Sequence, residues 1–223
     1  MREILDSKEI NGARANVYLF FSRIFREPPT QDLLDFLLSE RGFDILKTLF
    51  PREEVLRDLG TLMEEVRRGG LSLEEFQLDF DSLMRVPGPW YVRPYESVYR
   101  HASSPGDGPK PTLMGEPAYQ VSALYQKAGL EPCESTTNLP DELTVELEFM
   151  GRLCKQAERS LEANEQERAW KAIAMQREFL TEHLLSWAPL CLEKIISNAQ
   201  TPLYKTLSRL LISFLEEEED LFR

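Results

Sequence analysis

The chain has 223 residues, 42% of them hydrophobic and 29% charged. That supply of apolar residues can build a sizeable core and excludes an intrinsically disordered chain. The formal net charge of -12 disfavours nucleic acid, whose phosphates it repels, and favours basic partners.

Helical periodicity runs through nearly the whole sequence. Ile10, Ala13, Val17, Phe20, Phe21 and Ile24 predict one apolar helix stripe, which Pro28-Pro29 ends. Leu33–Leu38 predicts a short second helix with Gly42 at its exit. Pro51 sits where a first helical turn tolerates proline, and the helix it opens runs to Arg67 before Gly69-Gly70. Ser72 with Glu75 three residues on reads as a capping box for a helix carrying Leu73, Phe76, Phe80 and Leu83.

Between residues 86 and 116 the periodicity stops. Pro87, Pro89 and Pro94 remove backbone donors, while Trp90, Tyr91, Tyr95 and Tyr99 give the segment a large aromatic content. A long Pro/Gly-rich loop is predicted here, with one helical turn at Glu96–His101. Helices resume as Ala118–Ala128, Asp141–Ala163, Glu165–Ser186, Pro189–Asn198 and Pro202–Glu217. In the helix after Pro140, Leu143, Leu147, Met150, Cys154, Ala157 and Leu161 form a stripe, with Glu146 at its edge and Phe149 outside it. The next helix reads as two-sided, with Trp170, Ile173, Ala174 and Leu184 on one face and Met175, Phe179 and His183 on another. Glu216–Glu219 places four anions at a helix C-terminus, which the macrodipole opposes, so that end is expected to fray. The fold predicted is all-α, a single globular helical bundle of about nine to eleven helices. The whole chain, 1–223, is expected to form one domain, with the 86–116 loop dividing two helical halves.

Little in the sequence points to catalysis. Neither His101 nor His183 has a Glu three residues before it, so the paired Glu-x-x-His pattern of di-iron bundles is missing. His183 reads instead as a packed or hydrogen-bonding core histidine. Cys133, Cys154 and Cys191 form no CxxC and no zinc spacing, and they fit reduced cytoplasmic thiols. Gly106-Asp107-Gly108-Pro109-Lys110 fails the spacing of a phosphate-binding loop. The apolar run Val17–Phe21 is too short for a membrane span or a signal-peptide core. No catalytic residue, metal or cofactor is expected; a helical di-iron or other metal-binding enzyme is the alternative reading.

Several motifs together resemble a known family. Phe80-x-x-Leu83-Met84, then Pro87-Gly88-Pro89 and Pro94-Tyr95-Glu96-Ser97-Val98-Tyr99, is similar to a pattern of the TorD/DmsD/NarJ family. So are Leu139-Pro140-Asp141-Glu142-Leu143-x-Val145-Glu146-Leu147-Glu148-Phe149-Met150 and Phe179-Leu180-x-x-His183-Leu184-x-x-Trp187-x-Pro189. Two departures are Glu142, where many members have His, and Met84, where many have Phe.

The resemblance implies a cytoplasmic all-helical chaperone, not an enzyme. Its partner would be the apo-form catalytic subunit of a molybdopterin oxidoreductase, bound through a twin-arginine leader or N-terminal tail and held for cofactor insertion. It implies no nucleic acid and no stable membrane insertion. Peptide-binding residues carried over are Phe80, Leu83, Pro94, Tyr95, Glu96, Pro140, Asp141 and Glu146; Phe76, Trp90, Tyr99 and Glu142 join them as neighbours of suitable chemistry. Asp141, Glu142 and Glu146 lie at the start of one helix, where carboxylates are favoured by the dipole and can pair with guanidinium groups. A monomer or a dimer exchanged through the long loop is expected.

Overall fold

The computed structural model describes residues 5–50, 52–100, 113–130 and 139–223. His101, Cys133, Pro51 and the 101–112 part of the predicted loop lie outside these residues. Among the described residues the architecture is all-helical, and the one strand-like pairing is an isolated antiparallel bridge between Tyr95 and Glu142. The helices are α1 (Lys8–Arg26), α2 (Gln31–Leu38), α3 (Glu40–Leu49), α4 (Glu53–Arg67) and α5 (Leu73–Phe80), with a π-helical turn at Asp81–Arg85. They continue as α6 (Glu96–Arg100), α7 (Glu116–Lys127), α8 (Leu143–Glu162) and α9 (Gln166–Phe179). A π-helical turn at Leu180–Leu184 then leads into α10 (Leu185–Asn198), which α11 (Pro202–Phe222) follows. None of the described helices is long and apolar enough to cross a membrane.

The chain forms two compact units, each discontinuous in sequence. The first comprises Met1–Arg26, Pro94–Ala188 and Glu219–Arg223; the second comprises Glu27–Arg93 and Pro189–Glu218. In the first unit α8 is the central element, packed against both α1 and α9. A Cβ on Gly151 would come within 2.8 Å of the Leu19 side chain and 3.3 Å of the Ala15 carbonyl, so glycine permits the close approach of α1. Phe149 packs tilted against Tyr125 of α7 and edge-on against Phe179 of α9, at 4.1 and 4.7 Å between ring centroids. The expected contact of this helix with neighbours on two sides is therefore present.

In the second unit Phe80 packs on Tyr204 at 5.7 Å, and Phe50 meets Phe214 edge-on. Leu203, Leu207, Leu210 and Phe214 are buried along α11. Asp79, itself buried, accepts from the Gln200 and Thr201 amides at 3.0 and 2.9 Å and from the Thr201 hydroxyl at 2.6 Å. This ties α5 to the start of α11, where a carboxylate complements the helix dipole. The Ser72–Glu75 capping box forms in both directions.

Several expectations are corrected. Gly42 does not end α2; it lies inside α3, whose N-cap is Ser39 through a 2.9 Å bond from the Gly42 amide. One serine ends α2 and starts α3, which the apolar periodicity does not reveal. Pro189 lies within α10 rather than opening a helix, because the π turn carries the chain onward without a break. The buried face of α9 is Ala169, Ala172, Gln176 and Phe179; Trp170 is 56% exposed, its indole N–H donating to Asp6 at 3.0 Å. On α1 the buried face runs through Asn11, Ala15, Tyr18, Ser22 and Phe25, and Ala13 is exposed. The Asn11 and Ser22 side chains are buried because Leu5, Ser7 and Thr144 carbonyls accept their hydrogen bonds. Finally, the acidic end of α11 stays helical to Phe222. Phe222 is buried beneath the Arg14 guanidinium, and Arg223 pairs with Glu219 and Asp220.

Candidate functional site

Two of the family-like motifs meet in the first unit. The Leu143 amide donates to the Pro94 carbonyl and the Glu96 amide to the Asp141 carbonyl, both at 2.9 Å, flanking the Tyr95–Glu142 bridge. Pro94 has no amide hydrogen to donate, so it joins the seam through its carbonyl, while the Glu96 amide donates in return. The Asp141 carboxylate then takes the Ser97 amide at 3.0 Å and the Ser97 hydroxyl at 2.5 Å. Ser97 Oγ in turn accepts from the Gly115 amide at 3.1 Å.

Below this seam lies a cluster of buried acids. Glu96, Asp141 and Glu146 each have 0% exposure. Both Glu96 oxygens lie 3.0–3.1 Å from His183 Nδ1, and Arg100 Nη1 donates to Oε1 at 2.8 Å. His183 stacks on Phe179, which fixes its ring. Trp187 Nε1 donates to Glu146 Oε2 at 3.0 Å, and Trp187 also packs on Tyr99. Two buried oxygens, Glu146 Oε1 and Asp141 Oδ1, receive no hydrogen-bond donor.

The electrostatics follow from burial. Glu146 is held well above the usual carboxyl range, first by loss of solvent and then by the neighbouring Glu96 charge, with the Trp187 bond opposing. Two carboxyls in one buried site cannot both ionise cheaply, which is why Glu96 beside it adds to the raised proton affinity of Glu146. Glu142 is pushed up to about 7 by burial, against the Thr144 hydroxyl and Arg26, which favour its charged form. On the outer flank Arg26 donates to the Thr144 carbonyl at 3.1 Å and to Glu148 at 2.7 Å, and Arg152 also pairs with Glu148.

The candidates thus divide. Pro94, Tyr95, Glu96, Tyr99, Pro140, Asp141, Glu142 and Glu146 come together in the first unit, with Tyr95 and Pro140 half-buried and Tyr99 buried. Phe76, Phe80, Leu83 and Trp90 belong to the second unit. There Phe76, Phe80 and Leu83 are core residues, while Trp90 is 44% exposed and its carbonyl accepts from Asn198. Glu146 is not at the edge of its stripe but fully enclosed. His183 is the hydrogen-bonding core histidine that its spacing suggested. Sequence reasoning missed Arg100, Ser97 and Trp187 as members of the cluster. Arg100 alone had a local signal, its i,i+4 spacing from Glu96. Among the described residues no group of three or more His, Cys, Asp or Glu is placed to hold a metal ion.

Comparison with known proteins agrees with the motifs. The sequence model of the family described as nitrate reductase delta subunit matches residues 51–193. A chaperone protein TorD of Vibrio cholerae serotype O1 is 26% identical over 95% of this chain and 93% of its own length. The chaperone protein TorD of Vibrio vulnificus strain YJ016 is 27% identical over 99% of this chain and 98% of its own. A crystal structure of a candidate redox enzyme maturation protein from Archaeoglobus fulgidus aligns with 91% of this chain and 93% of its own, at 18% identity and a TM-score of 0.48. With the family pattern spanning more than half its length, the chain belongs to the nitrate reductase delta subunit family, the TorD-like group that its motifs resemble.

Proposed function

We propose that this protein is a maturation chaperone that binds an arginine-bearing leader or N-terminal tail of an apo molybdenum-cofactor oxidoreductase subunit. It would hold that segment in the cytoplasm until cofactor insertion, before export or assembly. The coarser part of this reading is supported by full-length similarity to proteins named as TorD chaperones. The finer part is carried by one observation: Asp141 Oδ1 and Glu146 Oε1 are buried acceptors without a donor. Buried polar atoms are almost always partnered, so an unfilled pair marks acceptor capacity for a multi-donor ligand.

A guanidinium presents five donors in a planar fork and suits such a group of carboxyls better than the point charge of an ammonium. Reaching them requires the Pro94–Arg100 segment to lift from the start of α8, breaking the seam at Asp141 and Glu142. Tyr95, Tyr99, Pro94 and Pro140 then offer apolar contact beside the acids. In the second unit, Trp90, which is 44% exposed, is proposed as an apolar contact for a client segment in its own right. The net charge of -12 draws a basic segment toward the protein at long range.

The test is calorimetric titration of a synthetic twin-arginine leader peptide into the wild type and into Asp141→Asn/Glu146→Gln, at low and high salt. Charge-assisted bonds contribute about 1.5–3 kcal/mol each, so the double variant should bind about tenfold or more weakly, with a shallower salt dependence. Equal affinities and equal salt slopes in two folded proteins would remove these acids from the binding site.

A further inference from the structure

We propose that Arg100 is a built-in competitor for the client: its guanidinium fills, in the free protein, the place on Glu96 that a client arginine takes in the complex. This inference rests on the arginine-binding reading above and concerns how that site is regulated.

The argument starts from an asymmetry of exposure. Glu96 is wholly buried, yet the side chain of Arg100 is 37% exposed and reaches it at 2.8 Å. The guanidinium therefore approaches the acid cluster from the solvent side. Its Nη1 also lies 3.4 Å from the Glu182 carbonyl, at the margin of a hydrogen bond. Beside Glu96 in the same region stand Glu146 and Asp141 at the start of α8, and His183 and the Glu182 carbonyl from the π turn. Acids outnumber bases in this set, so one guanidinium does not exhaust its demand for donors. Glu146 Oε1 and Asp141 Oδ1 remain without one.

Removing a cation from a buried carboxylate is costly when nothing replaces it. Exchanging one guanidinium for another avoids that cost, because the charge of the cluster is unchanged at the end. Arg100 is suited to leave, being part-solvated already and held by one bond to Glu96. Arg26 is not in the same position: it is anchored by Ser22, the Thr144 carbonyl and Glu148 together. The arrangement keeps the acids satisfied in the free protein and raises the affinity threshold, so a segment lacking arginine cannot open the site. A competing internal state lowers the apparent affinity by the fraction of molecules it occupies.

The experiment compares the wild type with Arg100→Gln and Arg100→Lys. The probes are a synthetic peptide with two consecutive arginines before a leucine-rich stretch and the same peptide with lysines. Binding is followed by calorimetry and folding by thermal unfolding. Arg100→Gln should bind the arginine peptide about fivefold or more tightly than the wild type, with Arg100→Lys intermediate and the lysine peptide gaining less than about twofold. If Arg100→Gln does not fold, the Arg100→Lys gain decides the matter. Unchanged or weaker binding of the arginine peptide by the folded variants would overturn the competitor while leaving the arginine site standing. An equal gain for the lysine peptide would also overturn it, by reducing the effect to net charge. Failure of all three proteins to bind either peptide would instead remove the arginine-binding function, and this inference with it.

Discussion

Replacing Glu142 by glutamine should make the protein more stable than the wild type at and above neutral pH. The carboxyl is 8% exposed and its value rises to about 7 from the ordinary 4.5, chiefly through burial. An acid raised in this way binds more protons folded than unfolded between those two values. Wild-type stability is therefore undiminished by Glu142 below about 4.5 and falls as pH climbs through about 7. Fully ionised, such a group costs at most roughly 3 kcal/mol. Glutamine stays neutral throughout and can still accept the Thr144 hydroxyl bond that Glu142 Oε1 accepts at 2.9 Å. It loses the attraction of Arg26, so the net gain at pH 8 should be about 1–2 kcal/mol. Urea unfolding of both proteins between pH 4 and 8, with unchanged denaturant slopes, measures this difference. Two curves running parallel across that range would show that Glu142 is not desolvated at the seam with Tyr95, and the packing of Pro94–Arg100 onto α8 would have to be redrawn.

Leu207→Ala, at a site 1% exposed on α11, should cost about 2–5 kcal/mol in chemical denaturation while leaving the peptide affinity of the folded fraction intact. A loss of affinity at unchanged stability would place that stripe in the binding site. Gly42→Ala should cost about 1–3 kcal/mol, because a Cβ there would stand 1.9 Å from the Phe36 carbonyl oxygen. A thermal midpoint equal to that of the wild type would show that the Ser39 junction between α2 and α3 has slack.

The acid cluster shows where legibility stopped. The residues of its two motifs were readable as candidates because their order and spacing resemble a family pattern. Their state was not. Glu96 and His183 are 87 residues apart, and nothing local to either announces the pair. Glu146 looks half-apolar by helical phase, yet it is sealed because Trp187 and the Glu96 segment cover it from elsewhere in the chain. Of the carboxylates read as dipole-favoured charges at a helix start, Glu142 and Glu146 became, by such covering, interior groups with a raised proton affinity. The same division appears along α9, where Gln176 is buried because it accepts from Arg14 at 2.8 Å and donates to the Leu153 carbonyl. A polar residue at a core position is invisible to a count of apolar side chains.

What the amino-acid order by itself determined was local and periodic. The 3.6-residue recurrence of apolar side chains specified helices throughout, and the Ser72–Glu75 spacing specified its own cap. The prolines from 87 to 94 broke the helix where the chain breaks. These depend on neighbours within a few residues, so they survive without knowledge of the fold. Tertiary structure decided which helix faces are buried, that Pro189 sits inside a helix, and that the acidic end of α11 stays wound beside Phe222. It also decided which acids lose their water. Each of these is set by atoms distant in sequence, and a carboxylate is charged or neutral according to what packs over it.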